Sequence, residues 1–212
     1  MSEPSTVPLS GRRAEAARND DRIRQAARAV FLGDPGAPIA AVAERAGVGI
    51  GALYRRYAGK EELLRALCAD GLRRYIEAAE AALAEERDPW TAFAAFMHRE
   101  VDADASSLTS RLAGTFTPTP ELYEAAARAG ELNVAIFSRA QEAGAIRPDA
   151  SVNDLGPILE QLASLKIGDA ARAKALRHRY LDVVLDGLRA PGTGLSAQPP
   201  TDEELQARWR PR

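Results

Sequence analysis

Between Ile39 and Leu64 the chain reads IAAVAERAGVGIGALYRRYAGKEELL. The residues in this stretch that could do chemistry are cations and small side chains, not nucleophiles or metal ligands. Gly49, Gly51 and Ala52, with Ile50 between them, leave a backbone that another surface can approach closely. Tyr54, Arg55, Arg56 and Lys60 follow at spacings that reach flanking phosphates, and Arg45 stands just ahead of them. Lys60 also sits beside the start of a helix, where free N–H groups bind anions. This set suits recognition of a polyanion.

The elements that must hold these residues are short. Pro38 opens a helix at a first-turn position, and Val42, Ala43 and Ala46 turn inward. Gly47 falls where a tight helix-to-helix turn needs a positive φ. A second short helix covers about 50–57, with Leu53 and Tyr57 four apart. Two such helices follow the helix-turn-helix plan, whose second helix enters the DNA major groove. A Gly-linked helix pair is also an ordinary packing device, and Val42, Leu53 and Leu63 are core residues on either reading. Upstream, Asn19 caps a helix with an apolar face of Ile23, Ala26, Ala27, Val30 and Phe31. Residues 1–18 read as a disordered arm bearing Arg12, Arg13 and Arg18. Downstream, Gly59 breaks the pattern and Lys60 begins a long helix running to about Glu85.

Composition sets the frame. Alanine fills 43 of 212 positions and aromatics only 6%, which favours helices and disfavours a sheet, so the fold class is all-α. The net charge of −2 hides an asymmetry: residues 1–60 carry ten basic and six acidic side chains, and the remainder is acidic. Of 28 basic residues 25 are arginine, which a GC-rich genome explains as readily as function does. No apolar run approaches the roughly 18 residues of a membrane span, and the first residues do not form a secretory signal. A lone Cys68 cannot form an internal disulfide and suits a small apolar core position. A cytoplasmic protein with no membrane partner is expected.

The stretch from Arg22 to Leu67 resembles the DNA-binding domain of the TetR family of transcriptional regulators. The matching residues are VAERAGV at 42–48, GALY at 51–54 and YAGKEELL at 57–64, in register with the loop lengths included. The resemblance implies a homodimeric repressor of double-stranded DNA: two N-terminal domains bind a palindromic operator, and the C-terminal helices dimerise around a small-molecule pocket. By family position Tyr54, Arg56 and Lys60 are phosphate contacts, while Ile50, Gly51, Ala52 and Arg55 read or approach bases. Three positions depart from the family pattern. Gly49 replaces a capping Ser, Pro38 replaces Ser or Thr, and Ala40 stands where Arg is frequent. Direct readout then falls more heavily on Arg55, Arg45 and the arm arginines.

The expected organisation is an arm at 1–18, a three-helix DNA-binding domain at 19–66, a larger helical domain at 67–190, and a tail at 191–212. Helices of the larger domain are placed near 89–103, 106–114, 119–144, 152–167 and 171–189. Its 119–189 region resembles the SbtR-like subgroup, through RAQEAGAIRPD at 139–149 and YLDVVLDGLR at 180–189. Leu155, Ile158, Leu159, Leu162 and Leu165 form one stripe, and Leu176, Tyr180, Val183, Val184 and Leu188 another. Paired across a two-fold axis, they would make a four-helix dimer interface. Burial within one subunit is the alternative. Trp90, Phe93, Phe96, Met97, Leu112, Phe116, Tyr123 and Phe137 are the bulky residues expected near the family's pocket, and each also suits ordinary core. They favour an apolar or aromatic effector of unknown identity. Thr201 to Glu204 reads as a capping box opening a short terminal helix, with Leu205 and Trp209 docking it on the body.

No enzyme is expected: there is no phosphate loop, nucleophile motif or metal cluster, and no cofactor or metal is assigned. His98 and Asp102 share a helix face but read as solvated surface, and His178 as surface or dimer edge. The competing reading is an architectural DNA-binding protein without effector control.

Overall fold

The computed structural model describes residues 11–84, 88–103, 112, 114–192 and 194–208. Regular structure among them is helical, apart from an isolated bridge between Ile146 and Arg189. The chain divides into two compact units, Met1–Leu67 and Cys68–Arg212.

The first unit contains α1 (Gly11–Gly33), α2 (Ile39–Ala46), α3 (Ile50–Arg56) and the start of α4 (Lys60–Ala84). Helix α1 begins eight residues before the expected cap at Asn19. The segment RRAEAAR is rich in strong helix formers, so residues 11–18 continue the helix and are not an arm. Residues 1–10 lie outside the described part. Ile23, Ala26, Ala27 and Phe31 of α1, Val42 and Ala43 of α2, and Leu53, Leu63, Leu64 and Leu67 make this unit's core. The boundary between the units falls inside α4.

The second unit continues α4 and adds α5 (Pro89–Ala103), α6 (Pro120–Glu142), α7 (Leu155–Ala163), α8 (Ala170–Leu188) and α9 (Asp202–Ala207). The helix expected near 106–114 lies mostly outside the described residues. Thr119 caps α6 by accepting from the Leu122 N–H at 3.4 Å, and Pro120 takes its first position. The segment expected as one helix at 152–167 is a 3₁₀ turn, Val152–Asp154, followed by the shorter α7. Buried Arg147 ties the loop after α6 to the end of α8. Its Nε and Nη2 donate to Asp149, at 2.6 and 2.9 Å, and its Nη1 donates to the Gly187 carbonyl at 3.1 Å.

Two expectations change here. Leu155, Leu159, Leu162 and Leu188 are buried in this unit's own core with Met97, Ile136 and Phe137, so they are not an exposed dimer face. A leucine stripe repels water equally well against its own chain or a second one. Of its apolar stripe, α8 leaves Tyr180 and Val183 exposed, with Val184 half-buried. His98 and His178 are not separate surface residues either. Their Nδ1 atoms lie 2.9 Å apart, with Asp182 3.2 Å from His98 Nε2 and Asp102 2.9 Å from His178 Nε2. Lys174 completes the cluster at 2.9 Å from Asp102, so α5 and α8 share a polar seam.

The terminal capping box forms as read: Thr201 Oγ1 accepts from the Glu204 N–H at 3.2 Å, and Glu204 accepts from the Thr201 N–H at 2.8 Å. Helix α9 docks on its own chain through polar contacts. Asn153 donates to the Pro200 carbonyl at 2.9 Å, and Arg208 grips Glu160 at 2.7 and 2.8 Å. Trp209 lies outside the described residues.

One buried group is costly. Glu100 on α5 is 2% exposed, and its Oε2 has no hydrogen-bond partner. Burial pushes its carboxyl up to about 7. The folded chain therefore holds a proton there that the unfolded chain, with an ordinary carboxyl near 4.5, has released. The associated stability is complete below that ordinary value and is lost as pH rises through about 7. Chemical denaturation near pH 5 and pH 8 should show wild type losing on the order of 3 kcal/mol more than Glu100→Gln over that interval. Equal losses would show that Glu100 does not hold the proton.

Candidate DNA interface

Helix α3 is seven residues long and buries only Leu53. Its Ile50 is 44% and its Tyr54 51% exposed, and Gly51 and Arg55 are exposed beside them. Gly49, just before the helix, and Arg45, at the end of α2, are also exposed, and Ala52 is half-buried. An isolated helix this short is unstable in water. It persists because one apolar plug and two polar ties hold it and the turn before it within the unit, while a third tie fixes the start of α4.

The plug is Leu53. The first tie is Asp20 on α1, which sits on the same buried stripe as Ile23 and Ala27 and is itself 6% exposed. It accepts Tyr57 Oη at 2.6 Å and Arg56 Nε at 2.9 Å, while Arg24 lies 2.6 Å from its second oxygen. Burial alone would raise the Asp20 carboxyl. The hydrogen bonds from Tyr57 and Arg56, together with the charges of Arg24 and Arg56, outweigh it and hold the group below its ordinary value. The Tyr57 hydroxyl is pushed up by its burial and by that carboxylate.

The second tie fixes the turn between α2 and α3. Gly47 adopts φ +64, and its N–H closes on the Glu44 carbonyl at 3.1 Å while Val48 returns to Ala43 at 3.1 Å. Arg22 Nη2 donates to the carbonyls of Ala46 and Gly47 at 2.7 and 3.2 Å. A Cβ at position 47 would lie 2.9 Å from that same nitrogen, in a backbone conformation that disfavours side chains. The third tie is Lys60, whose Nζ donates to the Pro35 carbonyl at 2.9 Å and lies 5.3 Å from the centre of the Phe31 ring.

The site residues read from sequence therefore separate into two sets. Arg45, Gly49, Ile50, Gly51, Tyr54 and Arg55 present an outward surface. Arg56 and Lys60, read as phosphate contacts, spend part of their donor capacity inside the unit, on Asp20 and Pro35. Pro38 and Gly49 are the N-cap residues of α2 and α3, and neither supplies a side-chain cap. Pro38 thus lies one position outside the helix it was expected to open. Sequence reasoning missed Asp20 as a residue of this site. The signal that could have found it is its place three residues before Ile23 on the apolar stripe.

Residues 23–67 match the family described as bacterial regulatory proteins, tetR family. Residues 88–190 match the SbtR-like transcriptional regulator C-terminal domain. A TetR regulator from Mycobacterium vanbaalenii is 31% identical, with 84% of this chain and 99% of that one aligned and a TM-score of 0.52. The chain belongs to the TetR family of transcriptional regulators. The TetR regulator SCO0520 of Streptomyces coelicolor is similar at 28% identity, with 81% and 99% coverage and a TM-score of 0.55. LfrR of Mycobacterium smegmatis, solved in complex with proflavine, shares the fold at 22% identity, with 84% and 98% coverage and a TM-score of 0.62. No curated protein matches. As a TetR-family member the chain is a DNA-binding transcription regulator with an N-terminal helix-turn-helix, and the family is not one of enzymes. Among the described residues no helix is long and apolar enough to cross a membrane.

The Asp20 tie predicts unequal costs for its two sides. Asp20→Ala strands the buried Tyr57 hydroxyl and should destabilise the protein by about 2 kcal/mol in urea unfolding. Tyr57→Phe leaves Asp20 with Arg24 and Arg56 and should cost less. The reverse order would remove Asp20 from the centre of the clamp.

Proposed function

We propose that the protein is a ligand-responsive repressor that binds a palindromic operator as a homodimer. The observation that carries this reading is the outward face of α3, clamped on its inner side by Leu53 and Asp20 and bare on its outer side. Gly49, Gly51 and Ala52 let the helix lie close to base edges. Tyr54 and the free edge of Arg56 serve the phosphates, with Lys60 beside them at the start of α4. Arg55 and Arg45 read bases, compensating for the absent arginine at position 40.

A second copy of the chain supplies the second reading head. Two α3 helices must stand about 34 Å apart to enter successive major grooves. Tyr180 and Val184 remain the contacts assigned to the partner, joined by exposed Val183, and the buried leucines support α8 from within. An apolar or aromatic effector taken up by the cytoplasmic protein's second unit would favour a dimer whose heads are wrongly spaced. It can do so only by binding that state better than the DNA-bound one. Trp90, Phe93, Phe96, Met97, Leu112, Phe116 and Phe137 are the bulky side chains proposed to meet it. Tyr123, 60% exposed on α6, is a surface residue in this structure and is withdrawn from that set. That LfrR, of the same fold, is solved with the aromatic molecule proflavine agrees with such an effector.

Selection of genomic fragments on the purified protein at physiological salt should recover a palindrome. Binding without sequence preference would instead indicate an architectural protein. On the recovered operator, Arg55→Ala should lose about 1–3 kcal/mol of discrimination at one base pair of each half-site. Tyr54→Phe should weaken all sequences alike, as expected for a phosphate contact. An unchanged preference in Arg55→Ala would reassign base readout to Arg45.

A further inference from the structure

Helix α5 turns Phe93, Phe96, Met97 and Glu100 toward the core of the second unit, at positions i, i+3, i+4 and i+7. Three of these are apolar and fully enclosed. The fourth is a carboxyl group for which burial is the one resolved influence among the described residues. Glu100 Oε2 is buried without a hydrogen-bond partner, and the neighbouring Tyr75 feels its charge but does not bond to it. The Tyr75 ring stands edge-on to Phe96 at 5.4 Å, and Phe96 lies one turn before Glu100 on α5. On α6, Asn133 lies on the same helical stripe as Ala129, Ile136 and Phe137, and its Oδ1 is a second buried acceptor without a partner. The Phe93 and Phe137 rings, 6.1 Å apart, join α5 to α6 along this core.

Neither acceptor contributes to stability as it stands. An unpaired carboxyl costs several times more than the apolar side chain that would fill its place. Its desolvated setting, on a helix face shared with aromatic side chains, is what a compact organic cation needs: a fixed negative partner and ring faces to lie against.

We propose that Glu100 is the anchor for a protonated nitrogen on the effector, and that the effector class is therefore an apolar or aromatic amine. This rests on the ligand-responsive reading above and narrows it. The cation supplies the missing partner, the carboxylate ionises against it, and Tyr75 and Phe96 line the apolar part. Phe93, Phe96 and Met97 must yield to admit such a molecule, so the amine-bound core differs from the packed one. That difference gives the effector its preference between states.

The test uses the full chain and two probes of equal shape, 1-naphthylmethylamine and naphthalene-1-methanol, titrated by naphthalene fluorescence near pH 8. Wild type should prefer the amine by about tenfold or more, the worth of a hydrogen bond to a charged group. Glu100→Gln, an uncharged isostere, should bring the two within about twofold, and Glu100→Asp should keep part of the preference. Thermal melts of each variant confirm that it is folded. Equal binding of both probes by wild type would overturn the proposal. So would a preference that survives in Glu100→Gln, or no binding of the amine up to about 1 mM. Operator binding by the same preparations, assayed without probe, reports separately on the regulator reading. Intact operator binding with no amine preference refutes only the role of Glu100.

Discussion

A single buried carboxylate holds the reading head together. Asp20 gathers Tyr57, Arg56 and Arg24 into one hydrogen-bonded group, and two of those partners lie at or just past the end of α3. A helix of seven residues cannot orient itself, because its own hydrogen bonds barely offset the entropy of forming them. Its direction must come from outside. Asp20 supplies it at one end, the Arg22 grip on the turn supplies it at the other, and Leu53 seats the middle. The outer face can then be made of residues that add nothing to folding, such as Gly51 and Tyr54.

Much of this unit was legible in the sequence, since loop lengths, the glycine at 47 and the leucine at 53 each admit few conformations. What escaped was long-range. Asp20 and Arg56 are 36 residues apart, and periodicity does not say which acid meets which base. The early start of α1 escaped because a capping residue at 19 looked sufficient, while the alanines before it carried the helix past that cap.

The second unit was less legible for a related reason. A stripe of leucines at 155, 159 and 162 announces burial but not the surface it is buried against. The pairing of His98 with His178 joins residues 80 positions apart, and each looked solvated when read with its own neighbours. Glu100 was passed over beside His98, although its register with Phe93, Phe96 and Met97 places it on the inner face. The helical period finds the core. It does not reveal a polar group that the core has left unpaired.

The ties that steady the head also alter how it meets a polyanion. Arg24 and Arg56 face the same carboxylate, so that cluster presents one net positive charge where the composition counts two cations. A duplex sheds counterions in proportion to the phosphates neutralised, about 0.9 for each, so cations already answered within the protein release few. On the proposed contacts, the ionic-strength dependence of association then falls to the cations left to face phosphate, Lys60 and the free edge of Arg56. Pairing leaves the domain's net charge unchanged but ties two of its cations to one place, so fewer of them are free to follow a phosphate.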